Sequence, residues 1–240
     1  MTTAGTGDAG TSVIGGAVKE AVKETVEKEQ TMSDQGGAGG VPEFVVIYRG
    51  FTPDEVCAAT EHLLDAGFTA FEVTMNSPRP VEAVGRLAER FGARALIGSG
   101  TVRTVRQVDA VADAGARLVI SPTTDPDVIA ATKSRGLLSV PGAMTPTEID
   151  RAWNAGADVV KLFPLGALGI SYLRQVREPL GEIPLLVSGA VTAELARECF
   201  AAGCVSVGVG LGLFDADAAT RRDWPALAAA AVRYRDTALG

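Results

Sequence analysis

Histidine is nearly missing from this chain: His62 is the only one in 240 residues. It lies in Thr60-Glu61-His62-Leu63, a helical stretch with no second histidine to share a metal, so a surface or partly buried helix residue is the reading and no metal site is expected. Ser121 and Ser188 have no histidine partner at a strand end, which excludes Ser–His hydrolase chemistry. Cysteine is scarce too. Cys57, Cys199 and Cys204 are odd in number and lack CxxC spacing, which argues against a disulfide framework and a zinc site and fits a reducing cytosol. No apolar run approaches the roughly 18 residues of a membrane span, and the N-terminus lacks the basic-then-apolar layout of a secretory signal. A cytoplasmic protein is expected. With a net charge of −7 and no basic cluster beyond residue 40, neither a nucleic acid nor an anionic membrane is expected as a partner. Small molecules remain.

Lysine is sparse where it matters. Of five lysines, Lys19, Lys23 and Lys28 lie in a polar N-terminal stretch and Lys133 in a polar helical one. Lys161 sits instead inside the apolar run Val159-Val160-Lys161-Leu162-Phe163. Desolvation disfavours the ammonium, so such an amine loses its proton more easily and becomes a nucleophile toward a carbonyl carbon. The alternative is a structural lysine that pairs with a carboxylate or snorkels outward.

Residues 1–40 differ from the rest. Glycine, threonine, serine and alanine surround one charged stretch in which Val18, Val22 and Val26 recur every fourth residue, the spacing of a short amphipathic helix. That row of valines is too thin to build a core, and Gly36-Gly37-Ala38-Gly39-Gly40 follows, so a flexible, partly helical tail is expected. The whole chain is 47% hydrophobic, and from residue 41 to 240 it repeats one pattern: a short β-branched run, a small or polar turn, then a helical stretch, eight times over. The strand-like runs are 44–49, 70–74, 95–98, 118–121, 138–141, 158–163, 184–188 and 205–210. Helix starts read from Thr52-Pro53-Asp54-Glu55, Thr145-Pro146-Thr147-Glu148 and Thr192-Ala193-Glu194. Helix ends read from Ala-Gly-X at 66–68, 114–116, 155–157 and 202–204, since glycine permits the left-handed turn before the next strand. Eight β/α units predict an α/β fold of the (β/α)8 barrel type, a TIM barrel. A doubly wound sheet is the competitor, but Tyr48-Arg49-Gly50-Phe51 stands where its glycine-rich dinucleotide loop would be.

A barrel places chemistry at the C-terminal ends of its strands. Those ends carry Arg49, Glu72, Thr74, Asn76, Thr101, Pro122, Lys161, Phe163, Ser188 and Gly189. Alternation puts Glu72 and Thr74 opposite Phe71 and Val73, and Lys161 with Val159 and Phe163 opposite Val160 and Leu162. If Phe71 and Val73 face the helices, one acid and one amine share the barrel interior. A self-satisfied buried ion pair is the bland reading, though such pairs contribute little to stability. The chemical reading is an amine that condenses with a ketone, a carboxyl that moves protons and an arginine that neutralises an anionic group.

Glu72-Val73-Thr74, Gly98-Ser99-Gly100-Thr101-Val102, Ile120-Ser121-Pro122, Pro141-Gly142 and Val160-Lys161-Leu162-Phe163-Pro164 stand in order along these strands. The chain so resembles the class I 2-keto-3-deoxy-6-phosphogluconate / 4-hydroxy-2-oxoglutarate aldolases, from about residue 46 to 214 and into the last helix. Tyr48-Arg49-Gly50-Phe51-Thr52-Pro53 and Asn76-Ser77-Pro78 are more similar to the branch acting on 2-dehydro-3-deoxy-6-phosphogalactonate. The resemblance implies Lys161 as Schiff-base nucleophile and Glu72 as general acid/base. It implies Arg49 and Thr101 on the pyruvate carboxylate, helped by the backbone near Pro122, with Phe163 as an apolar wall. The family holds the distal phosphate on glycine-rich turns after strands seven and eight, here Ser188-Gly189-Ala190-Val191 and Gly208-Val209-Gly210-Leu211-Gly212. Two residues depart from the pattern: Ala190 replaces a glycine, and Leu211 replaces a serine, removing a hydroxyl from the expected phosphate site. Family members are commonly trimers, so a homotrimer is implied, with neither metal nor organic cofactor.

The expected reaction is retro-aldol cleavage of a 2-keto-3-deoxy-6-phospho sugar acid to pyruvate and glyceraldehyde 3-phosphate. One rival keeps the imine and changes the substrate to 4-hydroxy-2-oxoglutarate or an unphosphorylated keto-deoxy acid. Another is a non-catalytic barrel that binds small anions, which would have no need of Lys161 or Glu72. A sugar-phosphate isomerase or epimerase would want an acid/base pair without the imine lysine.

Overall fold

The computed structural model describes Met1 and residues 38–240. The valine repeat over 18–29 lies outside the described residues, as does the tail reading for 2–37. Nine parallel strand segments form one sheet: β1 (Phe44–Tyr48), β2 (Ala70–Thr74), β3 (Leu96–Gly100), β4 (Leu118–Ile120), β5 (Leu138–Val140), β6 (Gly142–Ala143), β7 (Val160–Leu162), β8 (Leu185–Ser188) and β9 (Ser206–Gly210). β5 and β6 are one strand interrupted at Pro141, which has no N–H to give to a ladder. The eight expected runs are therefore all present. β5 pairs with β4 and β6 with β7, while Asp158 N donates to Ser139 O at 3.0 Å and Lys161 N to Pro141 O at 2.8 Å, so the ring closes through that strand. The architecture is the expected (β/α)8 barrel.

Between the strands run α1 (Pro53–Asp65), α2 (Pro80–Phe91), α3 (Val105–Asp113), α4 (Pro126–Ser134), α5 (Pro146–Asn154), α6 (Leu165–Arg177), α7 (Ala193–Ala201) and α8 (Leu211–Arg221), and α9 (Trp224–Leu239) closes the chain. Thr52 and Thr145 make capping boxes with Glu55 and Glu148, and the Thr192 hydroxyl accepts from Leu195 N at 3.3 Å, as the sequence predicts. At the other ends Gly67, Gly115, Gly156 and Gly203 take positive φ, and so does Gly136 after Arg135, which the Ala-Gly pattern passes over. Each of these five turns makes the paired hydrogen bonds of a Schellman motif, for example Cys204 N to Cys199 O at 3.0 Å and Gly203 N to Phe200 O at 2.9 Å.

Strand alternation sorts the core in two. Val46, Tyr48, Phe71, Val73, Val160, Leu162 and Val207 face the helices. Val45, Ala70, Leu118, Ile120, Val140, Val159 and Leu186 fill the barrel interior, joined by Val41 from the segment ahead of β1. Burying each such aliphatic side chain stabilises the fold by about 1.5–3 kcal/mol. Phe71 and Val73 point outward and Ala70 inward, so Glu72 points inward; Val159 inward and Val160 outward fix Lys161 the same way.

Candidate active site

Glu72 and Lys161 stand above the interior aliphatic layer, and both are nearly dry. Glu72 is 2% exposed and Lys161 9%. The slot for the carboxyl exists because β3 ends in glycine: a Cβ on Gly100 would overlap Glu72 Oε2. That oxygen is buried with no hydrogen-bond partner among the described residues. A self-satisfied ion pair would leave no such orphan, since an unpaired buried polar atom costs stability. Burial raises the Glu72 carboxyl above its ordinary range, against the lowering effect of the Lys161 and Arg49 charges. Burial likewise lowers the Lys161 ammonium, with Arg49 adding to that and Glu72 opposing it. Burial thus pushes both groups in the direction of their neutral forms. The Lys161 Nζ lies 5.4 Å from the Phe163 ring centroid.

The cavity above them has a volume of about 720 Å³. Lys161, Arg49, Thr101, Pro122, Phe163, Ser188, Gly189 and Gly210 all line it, with Glu72 behind the lining and Thr74 and Asn76 outside it. Arg49 Nη1 donates to Asn76 Oδ1 at 2.7 Å and Nη2 to Thr101 Oγ1 at 3.4 Å, which aims the guanidinium across the mouth. Thr101 has a φ of 58°, a left-handed conformation unusual for a residue with a branched side chain. Thr74 does not join the site. Its hydroxyl donates to Tyr48 O at 3.2 Å and contacts Ser77 Oγ at 3.0 Å, while Ser77 Oγ accepts from Gly50 N, so Thr74 and Ser77 tie the ends of β1 and β2.

At the far end of the cavity the turns after β8 and β9 converge, with Ala190, Gly208, Leu211, Gly212 and Leu213 in the lining. Ser188 Oγ donates to Gly208 O at 3.2 Å, leaving its oxygen to accept. α8 starts at Leu211 without a side-chain cap, so the N–H groups of its first turn lack intrahelical acceptors. Leu211 touches the cavity but is 2% exposed, its side chain packed in the helix-side core. Position 211 is therefore a core position here. Three residues were given no role by the sequence: Phe51, which lines the cavity, Asn76, which holds Arg49, and Gly100, which faces Glu72. Gly100 was legible, being two residues beyond Gly98 on the face that meets Glu72. Phe51 was not, because its ring is held by Arg222 at 4.8 Å and Trp224 at 6.1 Å, far away in sequence.

A desolvated carboxyl and a desolvated amine beside a cavity with an arginine at its mouth are equipped for imine chemistry on a keto acid. The family model for KDPG and KHG aldolase matches residues 43–230. The chain belongs to that family. It is accordingly an aldolase, a carbon–carbon lyase. The 2-dehydro-3-deoxy-6-phosphogalactonate aldolase of Escherichia coli K12 is 36% identical over 193 residues, 80% of this chain and 94% of the relative. A probable aldolase of the same name from Rhizobium meliloti is 37% identical over 171 residues, 71% of this chain and 81% of the relative. A solved structure described as native KDPGal is 35% identical with a TM-score of 0.74, covering 81% of this chain and 95% of that one.

Proposed function

We propose that this aldolase cleaves a 2-keto-3-deoxy-6-phospho sugar acid, of the phosphogalactonate or phosphogluconate type, to pyruvate and glyceraldehyde 3-phosphate through an imine on Lys161. The observation that carries the reading is the desolvated amine beside a buried carboxyl whose Oε2 has no partner. The neutral Lys161 amine adds to the C2 carbonyl, and Glu72 supplies the proton with which the carbinolamine loses water. The iminium draws electrons from the C3–C4 bond as the Glu72 carboxylate left by that step takes the C4 hydroxyl proton, releasing the aldehyde. The remaining enamine is protonated at C3 and hydrolysed to pyruvate. Because the iminium is the electron sink, the chemistry needs no organic cofactor. Arg49 and Thr101 hold the carboxylate, the backbone near Pro122 assists, and Phe163 forms the apolar wall. The turns at Ser188–Ala190 and Gly208–Leu213 face the phosphate with backbone N–H groups, which can hold an anion without a hydroxyl.

The unphosphorylated or 4-hydroxy-2-oxoglutarate reading draws its support from Leu211 and Leu213, which bring no hydroxyl to the distal end. A silent anion-binding barrel has no use for the orphan oxygen of Glu72. The homotrimer rests on family resemblance, and the cytoplasmic setting on the three free buried cysteines, which suit a reducing compartment.

Pyruvate with borohydride, followed by peptide mass mapping, tests the mechanism. The reduced adduct is expected on the peptide holding Lys161 and is lost in Lys161→Ala, whose turnover falls by on the order of 10⁴–10⁶-fold. An adduct on Lys133, or none, refutes it.

A further inference from the structure

The two turns at the distal end of the cavity belong to different strands, yet one side chain outside the site reaches both. Tyr234, on α9, is 5% exposed, and its hydroxyl donates to Val191 O at 2.7 Å. Val191 directly follows Ser188-Gly189-Ala190, and its carbonyl has no other hydrogen bond among the described residues. The ring of the same tyrosine packs edge-on against Phe214, with centroids 5.3 Å apart. Phe214 directly follows Leu213 in the first turn of α8, where the chain leaves β9.

We infer that Tyr234 is a positioning residue for the distal anionic group of the substrate, holding the β8 and β9 turns at the spacing that lets their N–H groups converge. The inference rests on the phosphorylated-substrate reading. The hydroxyl sets the β8 turn through one carbonyl, and the ring sets the β9 turn through one aromatic contact. Backbone donors cannot adjust to a ligand as side chains do, so their spacing has to come from what lies behind them. Ala190 shows that the β8 turn needs such support: its φ of 55° places a non-glycine residue in the left-handed region. Tyr234 lies outside the cavity lining, which gives it no part in imine formation.

The test compares kcat/KM for a 6-phosphorylated 2-keto-3-deoxy acid and its unphosphorylated analogue in the parent and in Tyr234→Phe, with Tm alongside. The phenylalanine keeps the ring contact and strands the Val191 carbonyl. The preference for the phosphorylated compound should fall about five- to tenfold, the worth of one buried hydrogen bond, through KM and not kcat. kcat/KM for the unphosphorylated compound should stay within about twofold of the parent. Phe214→Leu, which disturbs the other turn and leaves the hydroxyl in place, should move the same ratio in the same direction. It also serves if the first variant folds poorly. A parent that prefers the phosphorylated compound with both variants keeping that preference overturns the positioning role alone. A parent with no preference overturns the phosphate reading and this inference with it. Equal losses on both substrates overturn the inference by marking Tyr234 as a general fold residue.

Discussion

The floor and the mouth of the barrel are built from the same strands, two residues apart, and obey opposite rules. On the floor, Val45, Ala70, Val159 and Leu186 close around Val41 as a dry aliphatic layer. One inward position further along, the same strands present Ile47, Glu72, Lys161 and Ser188. The turns differ in the same sense. At the floor, the left-handed conformations that link helix to strand fall to glycine, at Gly67, Gly115, Gly136, Gly156 and Gly203. Among the described residues the non-glycine positive φ values belong to Arg79, Thr101, Ala190 and Arg222. Arg79, Thr101 and Ala190 follow strand ends, and Arg222 lies against Phe51 at the cavity. Gly50 and Gly189 also take positive φ at the mouth, so local preference and final conformation agree at the floor and conflict at part of the mouth, the pattern expected where stability is given up for chemistry.

Replacing the acid breaks the contrast most sharply. Glu72→Gln keeps the volume in the Gly100 slot and removes the titrating group, so turnover should fall by about 10²–10⁴-fold with the fold intact. Activity within a few-fold of the parent would remove Glu72 from the mechanism. Its effect on stability has a sign that depends on pH. Burial raises the folded carboxyl above its ordinary value near 4.5. Below that value both folded and unfolded chains hold the proton, and no penalty exists. As pH rises toward the folded value, the unfolded chain releases its proton first and the folded state loses stability relative to it. Measured in a Lys161→Met background, which removes the amine's opposing charge, Glu72→Gln should leave Tm unchanged near pH 4 and raise it by pH 7.

The glycine facing the acid comes next. Gly100→Ala puts a methyl where Oε2 lies, and the carboxyl must move. Misplacement by about 1 Å can cost on the order of 10²-fold, so kcat should fall by roughly 10–100-fold while Lys161 still traps pyruvate. A variant with parent kcat would show that the carboxyl works from another position.

The floor answers to a different perturbation. A chain starting at Val41 should keep both Tm and turnover, whereas one starting at Glu43 loses the Val41 side chain, 0% exposed, and the acceptor Pro42 O, to which Ser206 Oγ donates at 2.7 Å. Together these are worth about 2–4 kcal/mol, or roughly 5–15 °C in Tm for a domain of this size. Turnover per folded molecule should not change. Loss of activity in the Val41 chain with the fold intact would assign residues 1–40 a role at the site or between subunits.

The periodic part of this structure was legible because strand alternation and helix capping are local. Glu72 inward, Lys161 inward, the Thr52 and Thr145 caps and the glycine turns all follow from neighbours within four residues. Pro141, which splits one strand in two, could be read only as a strand end. Contacts made at long range were not legible: the Arg49–Asn76 bond, the clamp of Arg222 and Trp224 on Phe51, and the Tyr234–Val191 bond join residues 27 or more apart. Leu211 shows the limit most plainly. In the sequence it stands only as a hydroxyl removed from the phosphate site, whereas its burial in the helix-side core assigns the side chain to packing.

The smallest effect expected is the most local one. Ala190, at the rim of the cavity, has a φ of 55°, where a Cβ is disfavoured by roughly 1–2 kcal/mol. Glycine removes that penalty but gains unfolded-state freedom worth roughly 0.5–1 kcal/mol, so Ala190→Gly should stabilise the chain by less than about 1 kcal/mol. At this size that is at most about 2–4 °C in Tm. If strain at the mouth serves function, the relief should not be free of consequence: the β8 turn gains room to move, and KM for the phosphorylated substrate should rise slightly, by about twofold or less, with kcat unchanged. A variant that is both more stable and as tight in KM would show that the strain at Ala190 has no bearing on the distal group. The contrast between floor and mouth would then rest on Thr101, whose hydroxyl accepts from Arg49 and cannot be replaced without touching the carboxylate end.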